Sequence, residues 1–136
     1  MHSLKLCKQY LNAVLANDLA EALSLFVAGA QVVAPLSGNT SAEAFHQKLF
    51  NDVRTSNIRI KNIFGAVNSM SSVALHFSHS WELEDGKSLD FEGINVFDLS
   101  EDGTKFTKLT ILYDSAPIRQ RLSESRHATD YVDSQT

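Results

Sequence analysis

The stretch from Ser72 to Asp114 alternates apolar and polar residues with the period of two that is typical of β-strands. It predicts three consecutive strands that share one apolar face. In chain order, the residues on that face are Val73, Leu75, Phe77, His79, Trp81, Leu83, Leu89, Phe91, Gly93, Asn95, Phe97, Leu99, Leu109, Ile111 and Tyr113. Three of them, His79, Gly93 and Asn95, interrupt the apolar pattern. Because a polar group on a buried face is costly, a functional site is expected there.

The rest of the chain predicts helices before the central strands. The predicted elements are helices at Leu4–Ala16 and Leu19–Phe26, a strand at Gln31–Leu36, a helix from Thr40 to about Val53, a strand at Asn57–Val67, the three central strands, and a short helix at Ser115–Leu122. Short turns between consecutive strands favour antiparallel pairing. We therefore predict an α+β fold, in which a curved antiparallel sheet forms a cone and the N-terminal helices pack on its concave face.

Composition limits the classes of protein that fit. The 136 residues, 43% of them hydrophobic, predict one domain over residues 1–122 and a flexible tail over 123–136. The net charge of −4 argues against a nucleic-acid partner. Cys7 is the only cysteine, and we expect it in the core of a protein in a reducing compartment. Met1–Lys8 lacks the apolar core of a signal peptide, and no run is long enough to span a membrane, so we expect a soluble, cytoplasmic protein.

Turn lengths suggest how the central strands align. A three-residue turn would pair Glu84 with Ser88, and the next turn would pair Leu99 with Lys105. The resulting cross-strand rows are Trp81–Phe91–Tyr113, His79–Gly93–Ile111 and Phe77–Asn95–Leu109. Gly93 then leaves a gap in an aromatic surface, which predicts a small-molecule pocket. The alternative is a bulge at Gly93 that only bends the sheet, with His79 and Asn95 satisfied by the main chain.

Two further expectations concern surfaces. Ile94, Val96, Phe106 and Leu112 alternate onto the opposite face of the sheet, where they form an apolar patch among polar residues. Such a patch suggests a homodimer through the outer sheet face. His46 adjoins the inward face of the predicted third helix, and we expect it to be a partly exposed surface histidine.

Two segments and the element order resemble the nuclear transport factor 2-like superfamily. The segments are YLNAVLANDLAEALSLFVAGAQVVAPLSG and GINVFDLSEDGTKFTKLTILYD, and the resemblance extends over about Leu4–Leu122. This superfamily includes ketosteroid isomerases, SnoaL-like polyketide cyclases and limonene-epoxide hydrolases. The resemblance implies a cone of curved sheet closed by helices, a pocket inside it, and frequent dimerisation through the outer face.

The resemblance also implies roles for two residues of the expected pocket. Tyr10 matches the first-helix tyrosine that donates to the oxyanion in ketosteroid isomerases. Asn95 stands where those enzymes carry a protonated aspartic acid as the second donor, and an amide can keep that role. Their catalytic base is an aspartate directly before the proline of the first strand, and here that position is Ala34. We therefore expect no steroid isomerisation by the family mechanism.

Asp114, in LYDSAPIRQRL, matches the strand-end aspartate that acts as a base in SnoaL-like cyclases and epoxide hydrolases. The same carboxylate could equally cap a helix that begins at Ser115. No arginine lies between Arg59 and Arg119, so the carboxylate–arginine–carboxylate set of the epoxide hydrolases has no counterpart.

The leading hypothesis is a SnoaL-like domain whose pocket holds a small hydrophobic carbonyl compound. His79 and Asp114 are the candidate acid and base, and Tyr10 and Asn95 the candidate donors. The expected pocket-lining residues are Phe77, Trp81, Phe91, Gly93, Leu109, Ile111 and Tyr113. The reaction would be an isomerisation, cyclisation or dehydration.

The alternatives to an enzyme are a non-catalytic ligand-binding or dimerisation module of the same fold, and a scaffold that docks partners through an outer surface. We expect no metal and no other cofactor. The chain has no phosphate-binding glycine loop, and its five histidines lack the spacing of metal ligands.

Overall fold

The computed structural model describes residues 2–68, 71–83, 86–114 and 116. The elements in chain order are α1 (His2–Leu15), α2 (Leu19–Ser24), β1 (Phe26–Ala34), β2 (Gly38–Ser41), α3 (Ala42–Asp52), β3 (Val53–Gly65), β4 (Ser72–Leu83), β5 (Ser88–Leu99) and β6 (Phe106–Tyr113). The predicted helix at Ser115–Leu122 and the tail 123–136 lie outside the described residues. Within these ranges, no helix is long and apolar enough to cross a membrane.

The six strands form one sheet in the order β2-β1-β6-β5-β4-β3, which confirms the predicted α+β fold. Strands that follow each other through short connections pair antiparallel, as expected. The pairing of β1 with β6 is parallel, so the sheet is mixed. Short turns predict antiparallel pairing only between strands that they join directly. They carry no information about β1 and β6, which are far apart in the chain.

The first strand begins earlier than its sequence pattern predicts. Helix α2 is capped by Asp18, whose carboxylate accepts a hydrogen bond from the Glu21 amide (3.1 Å), but the helix ends at Ser24. The next residue, Leu25, accepts a 2.8 Å hydrogen bond from the Phe106 amide, and Phe26 already pairs with β6. Sheet pairing therefore overrides the helical periodicity that places Phe26 in the second helix.

The alternation over the central strands correctly identifies the buried face, but both predicted registers are wrong by two residues. His79 lies opposite Phe91, Phe77 opposite Gly93, and Asn95 opposite Ile111. A slip of two residues keeps every side chain on the same face, so the hydrophobic pattern cannot distinguish the two registers. The longer turn from β4 to β5, with Glu82 opposite Ser88, accounts for the first error.

A bulge near the start of β6 moves one residue of the expected outer patch into the core. Asp98 pairs with Lys108 and Leu99 with Phe106, so Thr107 is an extra residue on β6. Phe106 consequently faces inward and is fully buried, and its predicted outward position is wrong. Ile94 and Leu112 remain exposed on the outer face.

Gly93 does not leave the predicted gap. A Cβ atom at this position would lie 2.7 Å from the Leu112 carbonyl oxygen, 3.1 Å from the Phe77 ring and 3.3 Å from the Tyr113 Cβ. The neighbouring strand and the Phe77 side chain already occupy the space. Glycine is therefore required here, because the Phe77 ring and the Tyr113 Cβ pack directly against its backbone and leave no room for a side chain.

Replacing Gly93 with alanine should destabilise the protein by about 1–3 kcal/mol, because the added methyl overpacks a site bounded by backbone. Urea unfolding of Gly93→Ala measures the loss. Gly65→Ala is the matched control, since Gly65 is an exposed strand glycine where an added Cβ would meet no atom within 4 Å. A Gly93→Ala variant as stable as Gly65→Ala would contradict the close-packing role.

Candidate functional site

A narrow cavity of about 40 Å³ lies between the inner face of the sheet and helices α1 and α3. The lining residues are Tyr10, Leu11, Val14, Ala34, Leu36, Ser37, Phe45, Leu49, Ile58, Phe77, His79, Trp81, Phe91, Asn95, Ile111 and Tyr113. This volume exceeds the roughly 10–15 Å³ that one water molecule needs. It is below the roughly 150 Å³ of a protein cavity that takes up benzene. A ligand with more than a few atoms must therefore move the walls or extend through the mouth.

The structure brings most of the predicted site residues together in this cavity. The predicted residues that line it are Tyr10, Phe77, His79, Trp81, Phe91, Asn95, Ile111 and Tyr113. Three others lie elsewhere. Gly93 lies under Phe77, Leu109 is fully buried in the core, and Asp114 is exposed at the end of β6.

An aromatic wall runs along the sheet side of the cavity. Trp81 and Phe91 have ring centroids 4.8 Å apart in an edge-to-face arrangement, and Phe91 contacts Tyr113 at 5.0 Å. The His79 imidazole is part of the same wall, 5.5 Å from Trp81 and 5.3 Å from Phe91. Edge-to-face contacts of this kind stabilise aromatic clusters beyond the burial of their area. The wall therefore holds the His79 ring in a fixed orientation.

Burial determines the protonation state of His79. Its side chain is 9% exposed, and desolvation lowers its pKa from 6.5 to about 4. His79 is consequently neutral at pH 7. Its Nε2 atom has no hydrogen-bond partner among the described residues, so a ligand can use this nitrogen.

Unpaired polar atoms are concentrated around the cavity. Five buried side-chain atoms lack a hydrogen-bond partner within the described part of the chain, and four of them belong to lining residues. These four are His79 Nε2, Trp81 Nε1, Asn95 Oδ1 and Ser37 Oγ. Leaving a buried polar group unpaired costs about 1–3 kcal/mol, and folded proteins contain few such groups. Because no described residue satisfies them, these four atoms are available to hydrogen-bond to water or to a ligand in the cavity.

The corrected register moves His79 and Asn95 apart. The predicted register places them in adjacent rows, but the observed one inserts the row of Phe77, Gly93 and Tyr113 between them. Asn95 lies four residues from Phe91, the strand partner of His79, which corresponds to about 13 Å along the strand. The two polar groups thus lie towards opposite ends of the lining surface.

Tyr10 is joined to a residue whose burial the sequence pattern does not predict. His46 is fully buried, so its expected partial exposure is wrong. Its Nδ1 donates to the Ala42 carbonyl oxygen at 2.7 Å, which leaves Nε2 as the acceptor of the neutral ring. The Tyr10 hydroxyl therefore donates to His46 Nε2, also at 2.7 Å. Its proton is already committed within the protein, so the donor role implied by the resemblance requires breaking this bond.

Asp114 lies in a position that fits the capping role, one of the two roles expected for its carboxylate. Its carboxylate accepts a hydrogen bond from the Ala116 amide (3.1 Å), and its side chain is exposed rather than part of the cavity wall. With Ala34 at the end of β1, none of the described lining residues carries a carboxylate. His79 is the one imidazole among those residues, and it remains the candidate for proton transfer.

Several lining residues could not be recognised from the pattern alone. Ser37 follows the first strand in a segment that reads as a simple loop, yet its hydroxyl is buried beside the cavity. Leu11 and Val14 of α1, with Phe45 and Leu49 of α3, form the helical side of the cavity. Their helical spacing predicts burial, but only the packing of the helices decides which buried residues face an empty space.

The two buried histidines should make stability depend on pH. Burial lowers the pKa of both His46 and His79 to about 4, so their contribution to stability is complete above pH 6.5 and is lost as the pH falls towards 4. The loss should be on the order of 3 kcal/mol for each histidine. Urea unfolding of His79→Phe between pH 7 and 4 should show about half of this loss. A full acid loss in His79→Phe would contradict the burial argument.

The chain matches no family model and no curated protein sequence. Its structure is similar to PrhC from Penicillium brasilianum NBRC 6234, with a TM-score of 0.82, 11% identity, and coverage of 98% of this chain and 95% of that one. A putative SnoaL-like polyketide cyclase from Shewanella denitrificans OS-217 gives a TM-score of 0.71 at 15% identity, over 90% and 98% of the two chains. An NTF2-like protein of unknown function from Cytophaga hutchinsonii gives 0.68 at 14% identity, over 86% and 94%. These similarities confirm the predicted resemblance in its architecture: the chain has the nuclear transport factor 2-like fold.

Proposed function

We propose that the cavity binds a small, mainly apolar carbonyl compound and that His79 transfers a proton next to its carbonyl group. The observation that carries this proposal is the set of four unpaired polar atoms in an otherwise apolar, aromatic-walled cavity. A ligand with matching polar groups would satisfy atoms that no described residue satisfies, and its apolar part would fill the rest of the cavity. One of the similar structures is described as a putative SnoaL-like polyketide cyclase, which is in keeping with a carbonyl substrate.

The roles follow from the chemistry of the three sheet side chains in the cavity that have unpaired polar atoms. The Trp81 indole can only donate, so it would hydrogen-bond to the ligand carbonyl and stabilise negative charge that develops there. His79, neutral and 5.5 Å from Trp81 between ring centroids, would accept the proton from the adjacent carbon and return it to another position. Asn95 would bind a more distant polar group of the ligand.

The low pKa of His79 restricts the substrates that it can deprotonate. A base with a pKa of about 4 is weak, so the carbon acid must itself be activated. A carbon between two carbonyl groups meets this condition, whereas the α-carbon of a simple ketone does so poorly. The proposed substrates are therefore 1,3-dicarbonyl compounds, and the reaction is an isomerisation, cyclisation or dehydration that begins at that carbon.

A second candidate function is non-catalytic binding of the same class of ligand. The observation in its favour is that the described lining residues include no carboxylate, since Ala34 occupies one family position and Asp114 lies outside the cavity. Such a protein would need the cavity and its polar atoms but no proton acceptor of suitable strength.

Benzoylacetone, an aromatic 1,3-diketone, can separate these two functions. Dilution of the compound from an apolar solvent into water starts its enol-to-ketone conversion, which absorbance follows. The wild-type protein should accelerate this conversion at least about tenfold over buffer, because a positioned base contributes about 10²–10⁴. His79→Phe should retain binding, measured as a thermal shift, and lose the acceleration.

His76→Gln, which removes an outer-face histidine, should keep the full rate. Acceleration that persists in His79→Phe would contradict the catalytic role of His79. Binding of benzoylacetone without any acceleration by the wild type would establish the non-catalytic function instead.

We also propose that a second copy of the chain covers the outer face of the sheet. Leu112 and Phe64 are each 52% exposed there, and Ile94 is 36% exposed. Glu92 accepts from Lys61 (3.0 Å) and contacts His76 (3.1 Å) on the same face, which gives the apolar residues a charged border. An apolar centre with a polar rim is typical of a subunit interface.

We propose a cytoplasmic location as well, because the one cysteine of the chain is buried and unpaired, as is usual in a reducing compartment.

Sedimentation velocity tests the dimer. Leu112→Lys should shift the protein from dimer to monomer, because it would bury an unpaired ammonium group at the interface. Lys108→Ala, on the same strand and face, should remain dimeric. A wild-type protein that sediments as a monomer at every concentration would contradict this proposal.

A further inference from the structure

The unpaired polar atoms of the sheet fall into two separate groups. His79 Nε2 and Trp81 Nε1 lie on β4, on rings in edge-to-face contact. Asn95, whose Oδ1 is unpaired, lies on β5, four residues from the strand partner of His79 and six from that of Trp81, or about 13 and 20 Å of strand. All three side chains are at least nine-tenths buried and line the cavity. One compact polar group on a ligand cannot reach both positions.

The sheet surface between the two groups is mainly aromatic. The intervening row contains Phe77, Gly93 and Tyr113, and the Phe77 ring covers Gly93. Phe91 adds a second ring, 6.3 Å from Phe77 and 5.0 Å from Tyr113 between centroids. A ligand that lies along this surface meets a polar end, then an aromatic middle, and then a second polar end.

The chemistry of each end defines the ligand group that it needs. The Trp81 indole N–H lacks an acceptor, and a carbonyl oxygen supplies one. The Asn95 Oδ1 atom lacks a donor, and a hydroxyl group supplies one. The Tyr10 hydroxyl, which the resemblance pairs with Asn95, does not compete for the ligand because its proton is held by His46.

We propose that the cavity is specific for elongated hydroxy-carbonyl compounds, which place a carbonyl at the Trp81–His79 end and a hydroxyl at the Asn95 end. This inference rests on the proposed carbonyl-binding function and adds to it a second ligand group, a hydroxyl at the Asn95 end of the cavity. Para-substituents on one aromatic ring keep the two polar groups at opposite ends of a flat spacer, and a hydrogen bond of about 2.8 Å adds to the span at each end. The flat ring matches the aromatic wall, and because the cavity of about 40 Å³ is smaller than such a ring, the walls must open to admit it.

Three probes of the same ring size test the inference: 4-hydroxyacetophenone with both groups, acetophenone with the carbonyl alone, and 4-ethylphenol with the hydroxyl alone. Dissociation constants can be measured by titration calorimetry or protein-detected NMR. The wild-type protein should bind 4-hydroxyacetophenone at least about tenfold more tightly than either single-ended probe, because the second hydrogen bond satisfies a buried, unpaired atom.

The second part of the test repeats the measurement with Asn95→Leu, because leucine has a volume similar to that of asparagine and no polar side-chain atom. The variant should bind 4-hydroxyacetophenone no more tightly than acetophenone, while its affinity for acetophenone stays within about twofold of the wild-type value. His76→Gln should preserve all three affinities.

The outcomes separate this inference from the proposal on which it rests. Equal wild-type affinities for 4-hydroxyacetophenone and acetophenone would overturn the two-ended specificity and leave the carbonyl-binding pocket in place. Persistence of the tenfold difference in Asn95→Leu would overturn the role of Asn95. Failure of all three probes to bind would overturn the two-ended specificity, and the binding of benzoylacetone decides separately whether the carbonyl-binding function stands. The wild-type comparison decides the question even where Asn95→Leu fails to fold.

Discussion

The structure depends on one buried chain of hydrogen bonds, from the Tyr10 hydroxyl to His46 and from His46 to the Ala42 carbonyl oxygen. It joins α1 to α3, the two helices that face the sheet across the cavity. Around it, Phe26, Phe97 and Phe106 place their rings within 6.1 Å of the Tyr10 ring centroid and exclude water. In such surroundings each bond is stronger, and each unpaired group would be more costly, than at the surface. The chain of bonds therefore fixes the helices at the spacing that leaves the cavity open.

The two buried histidines show why burial alone does not identify a functional residue. Desolvation lowers the pKa of His46 and His79 to about the same value, near 4. His46 has partners for both ring nitrogens, so its burial is explained by structure. His79 Nε2 has none within the described residues, although it lies in an equally apolar environment. The difference in hydrogen bonding, rather than in pKa, is what makes His79 the candidate for contact with a ligand.

For each residue of the central strands, the sequence predicts which face of the sheet it lies on. It does not predict which residues of the neighbouring strands lie opposite it, that is, its row. Alternation places Phe77, His79, Trp81 and Asn95 on the buried side because one face of the sheet must be apolar. Sliding a strand by two residues leaves that condition satisfied, so the row depends on turn geometry and on close contacts such as the one at Gly93. Alternation gives the wrong face for Phe106 because the bulge at Thr107 changes its phase. The burial of His46 escapes a local pattern because its partner, Tyr10, is 36 residues away in the chain.

The row positions determine the chemistry that this sheet can support. In the predicted register, His79 and Asn95 lie in adjacent rows, where both could act on one carbonyl group; the resemblance to ketosteroid isomerases adds Tyr10 as the second donor beside Asn95. The observed register separates His79 from Asn95 by the Phe77–Tyr113 row, and Tyr10 is bonded to His46. The two expected donors, Tyr10 and Asn95, and the expected base, His79, therefore do not converge on one carbonyl group of a ligand. Without a carboxylate among the described lining residues, catalysis would rely on a weak, neutral imidazole and an indole donor at one end of the cavity. Such an arrangement suits substrates whose carbon acid is already activated, and it uses the far end of the cavity to hold the substrate in position.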